Sequence, residues 1–407
     1  MQSIINANQK SKTSEFMTST GSYTPFYKDA PSYPPLGIQY QKVSPYIDVS
    51  GAPVNKSVVF KCPPGAGFMY DASVAFVATV AATTDEVEEG LVGINLVREI
   101  QWEVNGQPIV HKTKNAILAQ VLTCKDEAKR THAIRYAQML GNVPSAANFE
   151  KLITAGTDTS YLTYLPLFES FLSKPEKALL LNQVKELNLR ITFDTTLASG
   201  LKNAITSLTS TMYVQTYMPK LSVYNEMVLK DWSAPFVMEC VNHYEEVGSL
   251  TAGASTGTTY TLTVPFLVFK TNIFVRENSS DANLSFLDIS TISMNLGGVQ
   301  FLDNMPVSRM NSCASKNGVS SLGVSGDTGV VYDDAGIITI DWGVLCGDGS
   351  MNSGTMFADE LRGSNITLSW TSTDTTTYSL YVEHMYYQGV QYSPSSGGGN
   401  LSVISNN

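Results

Sequence analysis

An all-β chain made of two copies of one domain is the fold the sequence predicts, and three observations carry it. Apolar and polar residues alternate with period two in many short runs, the mark of half-buried strands. Only 15% of the 407 residues are charged, and Thr, Ser, Tyr, Gly and Asn are abundant, a balance that suits strands and turns. Finally, a series of blocks recurs in the same order. Ser57-Val-Val-Phe-Lys-Cys-Pro63 precedes the apolar run Phe68 to Val80, as Thr259-Tyr-Thr-Leu-Thr-Val-Pro265 precedes Phe266 to Val275. Ile100-Gln-Trp-Glu-Val-Asn-Gly-Gln has its counterpart in Ile289-Ser-Thr-Ile-Ser-Met-Asn-Leu-Gly-Gly. Asn188-Leu-Arg-Ile-Thr-Phe193 and Met212-Tyr-Val-Gln-Thr-Tyr217, joined by a polar loop, match Asn365-Ile-Thr-Leu-Ser-Trp370 and Tyr378 to Tyr387, joined by a Thr-rich one. Each copy spans roughly 170 to 190 residues, a normal size for a sandwich or a barrel.

Taken in order, residues 1–36 read as an extended arm. Ser, Thr, Asn and Lys give way to aromatics among prolines, as in Tyr23-Thr-Pro-Phe-Tyr and Ser32-Tyr-Pro-Pro, which cannot build a core of their own. The first domain is placed at 37–220, with strands at Ser57 to Cys62, Phe68 to Val80, Val97 to Val104 and Pro108 to His111. Asn105-Gly106 between the last two is a strong hairpin signal, because a type I′ turn needs positive φ at both positions. The period then changes: Ile117, Leu118, Val121 and Leu122 fall at helical spacing, and Thr123 with Asp126 offers a cap for a second segment reaching Gly141-Asn142. This predicts a helical insertion over about 113–141, with the charged run Lys125 to Arg130 as its solvated face. Ser173, Pro175 and Glu176 predict a further short helix by capping-box spacing. Leu187, Leu189, Ile191 and Phe193, then Met212, Val214 and Thr216, alternate as strands.

A connector is placed at 221–234 and the second domain at 235–392. Its predicted strands are Phe236 to Val241, Tyr260 to Val264, Leu267 to Val275, Ile289 to Leu296, Val299 to Leu302, Ile337 to Trp342, Ile366 to Trp370 and Leu380 to Tyr387. Gly, Ser, Asn and Asp over Ser312 to Asp334 predict a loop. Residues 393–407, with Gly397-Gly-Gly399, predict a flexible tail.

The formal net charge of −10 argues against broad binding to nucleic-acid phosphate, and no run of five basic residues occurs. Cys62, Cys124, Cys240, Cys313 and Cys346 are odd in number without close pairs, which predicts reduced thiols inside a cell. No long apolar region opens the chain, so no signal peptide is expected, and no apolar stretch reaches the length of a membrane-spanning helix. Without export, the Asn-x-Ser/Thr triplets at Asn55, Asn278, Asn283, Asn365 and Asn400 carry little meaning.

No catalytic spacing occurs in the sequence. His111, His132, His243 and His384 stand at no ligand spacing to one another or to a cysteine, and His384 reads as a packed strand residue. The chain contains no His-Glu-x-x-His, Cys-x-x-Cys or Gly-x-Ser-x-Gly. The acidic pairs Glu245-Glu246 and Asp333-Asp334, and the cluster Asp85, Glu86, Glu88 and Glu89, read as solvated turns rather than a glycosidase pair. Asp327 to Asp334 lacks the position-by-position pattern of a Ca²⁺ loop, and Gly347-Asp-Gly349 is not a phosphate loop. The expectation is no catalytic, cofactor-binding or metal-binding residue, no cofactor and no enzyme activity.

Two blocks resemble a known family. Ile100-Gln-Trp-Glu-Val-Asn-Gly-Gln, and Leu165-Pro-Leu-Phe followed by Ala178-Leu-Leu-Leu-Asn and Val184 to Phe193, are similar to segments of the double jelly-roll major capsid proteins. That lineage takes in the adenovirus hexon, tailless membrane-containing phages and nucleocytoplasmic large DNA viruses. Leu180-Leu181 departs from it, standing where Pro-Leu is usual. The resemblance implies two tandem eight-stranded jelly-roll β-sandwiches, each a double Greek key, with short helical insertions. It further implies a virion structural protein that forms a homotrimer, a pseudo-hexameric capsomer tiling an icosahedral capsid. Neighbouring capsomers, a penton protein at the vertices and minor capsid proteins would be its partners, with contact to an internal membrane through the arm. The rival readings are a carbohydrate-binding or adhesive tandem β-sandwich protein, which wants an export signal, and a cleaving enzyme, which wants a cleft carboxylate pair.

Overall fold

Alternation of side chains along the sequence becomes alternation between a buried and an open face in the structure, a computed structural model. It describes residues 36–49, 51–63, 67–81, 86–88, 91–124, 130, 132–134, 137, 151–153, 159–172, 179–184, 186–194, 204–219, 232–250, 258–263, 267–277, 287, 289–310, 319–324, 331–342, 362–370, 378–394 and 399–404. The first half comprises β1 (Leu36–Val43), β2 (Ser57–Lys61), β3 (Phe68–Ala81), β4 (Glu86–Glu88), helix α1 (Val92–Asn95), β5 (Val97–Val104), β6 (Gln107–Thr113) and helix α2 (Lys114–Leu122). It continues with β7 (Lys151–Ile153), β8 (Thr159–Leu165), a 3-10 turn at Ser170–Leu172, β9 (Leu179–Leu180), β10 (Leu187–Phe193) and β11 (Ala204–Pro219). The second half comprises β12 (Phe236–Leu250), β13 (Thr258–Thr261), β14 (Val268–Glu277), β15 (Ile289–Leu296), β16 (Val299–Pro306), β17 (Val319–Val324), β18 (Val331–Asp341), β19 (Asn365–Trp370), β20 (Tyr378–Ser393) and β21 (Asn400–Val403).

Two large sheets form each half, beside a two-stranded β4–β7 pair in the first, and the strand order of the large sheets repeats. The first half pairs β1-β11-β3-β8 and β2-β10-β5-β6. The second pairs β12-β20-β14-β18 and β13-β19-β15-β16, with β17 added beyond β18. The recurring sequence blocks therefore land on equivalent strands: β2 with β13, β3 with β14, β5 with β15, β10 with β19 and β11 with β20. Both β5–β6 and β15–β16 close in tight turns with positive φ at the two central residues, Asn105 (51°) and Gly106 (77°) in one, Gly297 (56°) and Gly298 (87°) in the other. Primed turns match the right-handed twist of the flanking strands, which is why Asn-Gly and Gly-Gly stand there.

The cores lie between the paired sheets. Phe76 of β3 meets Phe193 of β10 edge-on at 5.6 Å, and Trp102 of β5 meets Phe171 at 5.4 Å. On β10, Leu187, Leu189, Ile191 and Phe193 are buried, as the period predicts; on β11, Met212, Val214 and Thr216 are buried while Tyr213 is exposed. Ile273, Ile292, Ile338, Trp342 and Leu368 centre the second core.

Several expectations are corrected. Leu179–Leu180 pairs with β3 at Phe68 and Met69, so the described end of the predicted helix after Ser173 is strand; residues 173–178 lie outside the described residues. Capping chemistry was present in the sequence, but the buried leucines follow the sheet. Thr123 closes α2, its hydroxyl donating to the Ala119 carbonyl at 2.7 Å, and the described residues of the expected second segment, 130, 132–134 and 137, are helical. Thr113 is the residue that caps the N-terminus, accepting from the Ala116 N–H at 3.2 Å. The loop predicted over 312–334 contains β17 and the start of β18, which pair antiparallel with one another. Asn400–Val403 is a strand on β20 where composition predicts a flexible tail. The arm before Leu36, the cap at Gly141-Asn142, most of the charged run from Lys125, and Cys313, Cys346, Asp327 and Gly347-Asp-Gly349 lie outside the described residues.

Candidate functional site: the seam between the two sandwiches

Helix α2 is not a surface insertion. Asn115 to Ala119, Val121 and Leu122 are all buried, and a helix apolar on every side must be enclosed. The second half supplies one wall. Phe274 and Val390 belong to the same apolar cluster as α2, with Tyr381 packed against it. Polar side chains span the same gap. The Arg276 guanidinium donates to Asn115 Oδ1 at 2.8 Å, Lys270 Nζ donates to Thr123 Oγ1 at 2.7 Å, and Thr113 Oγ1 donates to Glu245 Oε2 at 2.7 Å. At the strand edges, the His111 N–H donates to Asn242 Oδ1 at 3.0 Å.

The returning strand β21 fastens the other end. Leu401 is 1% exposed inside the first half's cluster, and Asn105 Nδ2 donates to Asn400 Oδ1 at 2.6 Å. The Gly399 N–H donates to the Gln183 carbonyl. Gly399 lies against the Tyr392 ring so closely that an added Cβ would come within 1.9 Å of it, so only glycine fits. Tyr392 in turn meets Trp232 edge-on at 4.9 Å.

Behind this seam the sheet β12–β20–β14–β18 carries buried charge on both faces. On the seam face His243 Nδ1 contacts Glu383 Oε1, Asn272 Nδ2 donates to Glu383 Oε2, and Thr339 Oγ1 donates to Asn272 Oδ1 at 2.9 Å. Burial pushes the Glu383 carboxyl up, but the charge and hydrogen bond of His243, with Asn272 and Lys270, outweigh it and hold it below the ordinary value. On the inner face Glu246 accepts from the Thr263 N–H at 2.9 Å, Thr263 Oγ1 at 3.0 Å and Tyr260 OH at 3.3 Å, and faces His384 Nε2 at 3.3 Å. These partners overcome burial and hold the Glu246 carboxyl low. His384 Nδ1 lies 3.0 Å from Thr271 Oγ1, which receives the Trp342 indole N–H at 2.9 Å.

The singled-out residues divide accordingly. His384 is a packed strand residue, fully buried as expected, and His243 is 8% exposed, so both imidazoles are closed to a substrate. His111 pairs with Glu99 at 3.1 Å on the open face of β5–β6. His132 lines a cavity of about 430 Å³ with Asp71, Tyr164 and Glu169. Glu245-Glu246 is corrected: the pair lies within β12, not in a solvated turn, its two carboxylates pointing to opposite faces and satisfied there. Asp333-Asp334 lies in β18 and Glu86–Glu88 forms β4. Among the described residues no three His, Cys, Asp or Glu side chains are grouped to hold a metal ion, and no helix is long and apolar enough to cross a membrane. The signal that sequence reading missed is charge inside an alternating strand: Glu245-Glu246 and Glu383-His384 sit amid strand periodicity, where a turn is least expected.

Solved structures repeat this architecture along nearly the whole chain. The capsid of the virus PBCV-1, in a quasi-atomic model, aligns with a TM-score of 0.68 at 14% identity, over 94% of this chain and 100% of that one. The Faustovirus major capsid protein aligns at 0.63 with 10% identity, over 95% and 96%. The mavirus major capsid protein aligns at 0.59 with 8% identity, over 95% and 96%. The chain is a double jelly roll. No protein-family model matches the sequence, and no curated protein matches it significantly. As a double jelly roll, the molecule has its two sandwiches joined by a buried polar seam and a strand that crosses from one to the other.

Proposed function

We propose that this chain is a viral major capsid protein, the structural subunit of an icosahedral shell. The observation that carries the reading is the same eight-strand order occurring twice in one chain and locked side by side. Three such chains present six similar edges, as a hexagonal lattice requires, so the working unit is a homotrimeric, pseudo-hexameric capsomer. Neighbouring capsomers are its main partners. A pseudo-hexamer cannot fill a five-fold vertex, so a separate penton protein, with minor capsid proteins, completes the shell. The working division is an arm at 1–36, sandwiches over 37–220 and 235–392, a connector at 221–234 and, after 393, a C-terminal stretch whose Asn400–Val403 strand joins the second sandwich's sheet. The arm's Phe16, Phe26, Tyr27 and Tyr33 serve contact with neighbours or an internal membrane. The place of work is the virion, and no specific nucleic-acid binding, cofactor, metal or catalytic residue belongs to the function.

Electron microscopy of the purified protein tests this. Hexagonal particles, or ordered arrays of them, are expected; a protein that stays monomeric at every concentration sinks the proposal.

A further inference from the structure

Glu245 sits on β12 directly opposite Glu383 on β20, where the second sandwich meets the first. Its carboxylate receives Thr113 Oγ1 at 2.7 Å, and Thr113 is the N-cap of α2 in the other sandwich. The charged and titratable groups facing it are Glu383 with its partner His243, and Arg276 from β14. Lys270, farther along β14, reaches Thr123. The first sandwich faces Glu245 with the neutral Thr113 and Asn115, while Lys114 of α2 is held by Asp194 at 2.6 Å. The carboxylate thus lies between two sandwiches with a like charge across the strand pair.

We infer that Glu245 is a proton-operated latch: when it takes up a proton, the two sandwiches dock more tightly. The charged form loses its hydration on docking and meets the Glu383 carboxylate, while the neutral form keeps the Thr113 hydrogen bond without either cost. Burial, with Glu383, pushes the Glu245 carboxyl above its ordinary 4.5, against the hydrogen bonds of Thr113 and Asn115 and the charge of Arg276. A carboxyl raised in the docked state binds its proton more tightly there than when the seam is open. The stabilisation is therefore complete below the ordinary value and is lost as pH rises through the docked value. Glu246 and Glu383, both held low, act oppositely and lose their contribution only below 4.5. Docking is strongest in mild acid. The latch does not depend on the capsid reading.

The experiment is the melting midpoint of the full chain and of Glu245→Gln between pH 8 and pH 5. The glutamine, a mimic of the protonated form, is expected to melt above the unaltered protein at pH 8, with the gap closing toward pH 5. Glu246→Gln serves as the contrast, expected to melt below the unaltered protein at pH 7. A Glu245→Gln protein that melts at or below the unaltered one at pH 8, or a gap indifferent to pH, overturns the latch. Hydrogen exchange on the unaltered protein decides the matter without any variant. After correction for intrinsic exchange, peptides covering 107–122 and 378–393 should be better protected at pH 5.5 than at pH 7.5; equal or lower protection overturns it.

Discussion

Keeping a carboxylate inside a sandwich takes several donors at once, and Glu246 has them: a backbone N–H, two hydroxyls and an imidazole. Because its folded value lies below the ordinary 4.5, its contribution is fully present above that value and fades as the pH falls through the folded one. Glu246→Gln should therefore cost stability at pH 7, and denaturant titrations of the two proteins should converge under more acidic conditions. A constant difference across pH would show that packing, not charge, accounts for the loss. Apolar residues give a pH-independent comparison. Trp102 is fully buried against Phe171, so Trp102→Ala should lose about 3–5 kcal/mol by urea unfolding at any pH between 5 and 8. Trp102 was visible in the sequence as part of an alternating block. The roles of Glu245, Glu246, Glu383 and His384 were not. A charged residue inside a strand reads as solvent-facing until its neighbours from other strands are known, and those neighbours lie as much as 140 residues away, as Glu383 does from His243.

Elements whose cause is local were legible, and elements whose cause is distant were not. The Asn105-Gly106 turn follows from backbone sterics alone, and the structure has both residues in the left-handed region. Gly106→Val should cost about 1–3 kcal/mol through that conformation, since a Cβ at Gly106 meets no atom within 4 Å. An unchanged unfolding free energy would mean that the turn relaxes to another type. Strand β21 is the opposite case. Gly397-Gly-Gly399 reads as a linker, yet glycine at 399 is what the close approach of Tyr392 demands, and Leu401 two residues on fills the first half's cluster. Leu401→Ala should cost about 2–5 kcal/mol by denaturant unfolding, far more than a residue in a loose tail would. Helix α2 was legible as a helix but not as a wedge, because its burial is decided by β14 and β20, which come about 150 and about 260 residues later.

At the scale of the whole molecule, the two sandwiches copy one backbone but not one surface. The open face of β2–β10–β5 carries ion pairs, Lys61 with Glu186 and Arg190 with Glu103, and His111 beside Glu99. On the corresponding face of β13–β19–β15, hydroxyls and amides pair with each other: Thr259 with Thr367, Thr261 with Asn365, and Thr291 with Asn304 of β16. The six edges of a trimer would be alike in shape and unlike in chemistry, which gives each lattice contact a fixed partner. Neutral polar faces bury without stranding ions, and Ile38, Tyr40, Tyr46 and Ile47 add exposed apolar area at and just beyond the β1 edge. A permanent interface of this kind buries on the order of 2,000–5,000 Å² and responds weakly to salt. Light scattering on the purified protein should therefore give three times 44.2 kDa at low protein concentration, unchanged when the salt is raised to about 1 M, where the Debye length is about 3 Å. Dissociation to monomer in salt would assign the contact to the charged face of the first sandwich, and a monomer under all conditions would remove the trimer altogether.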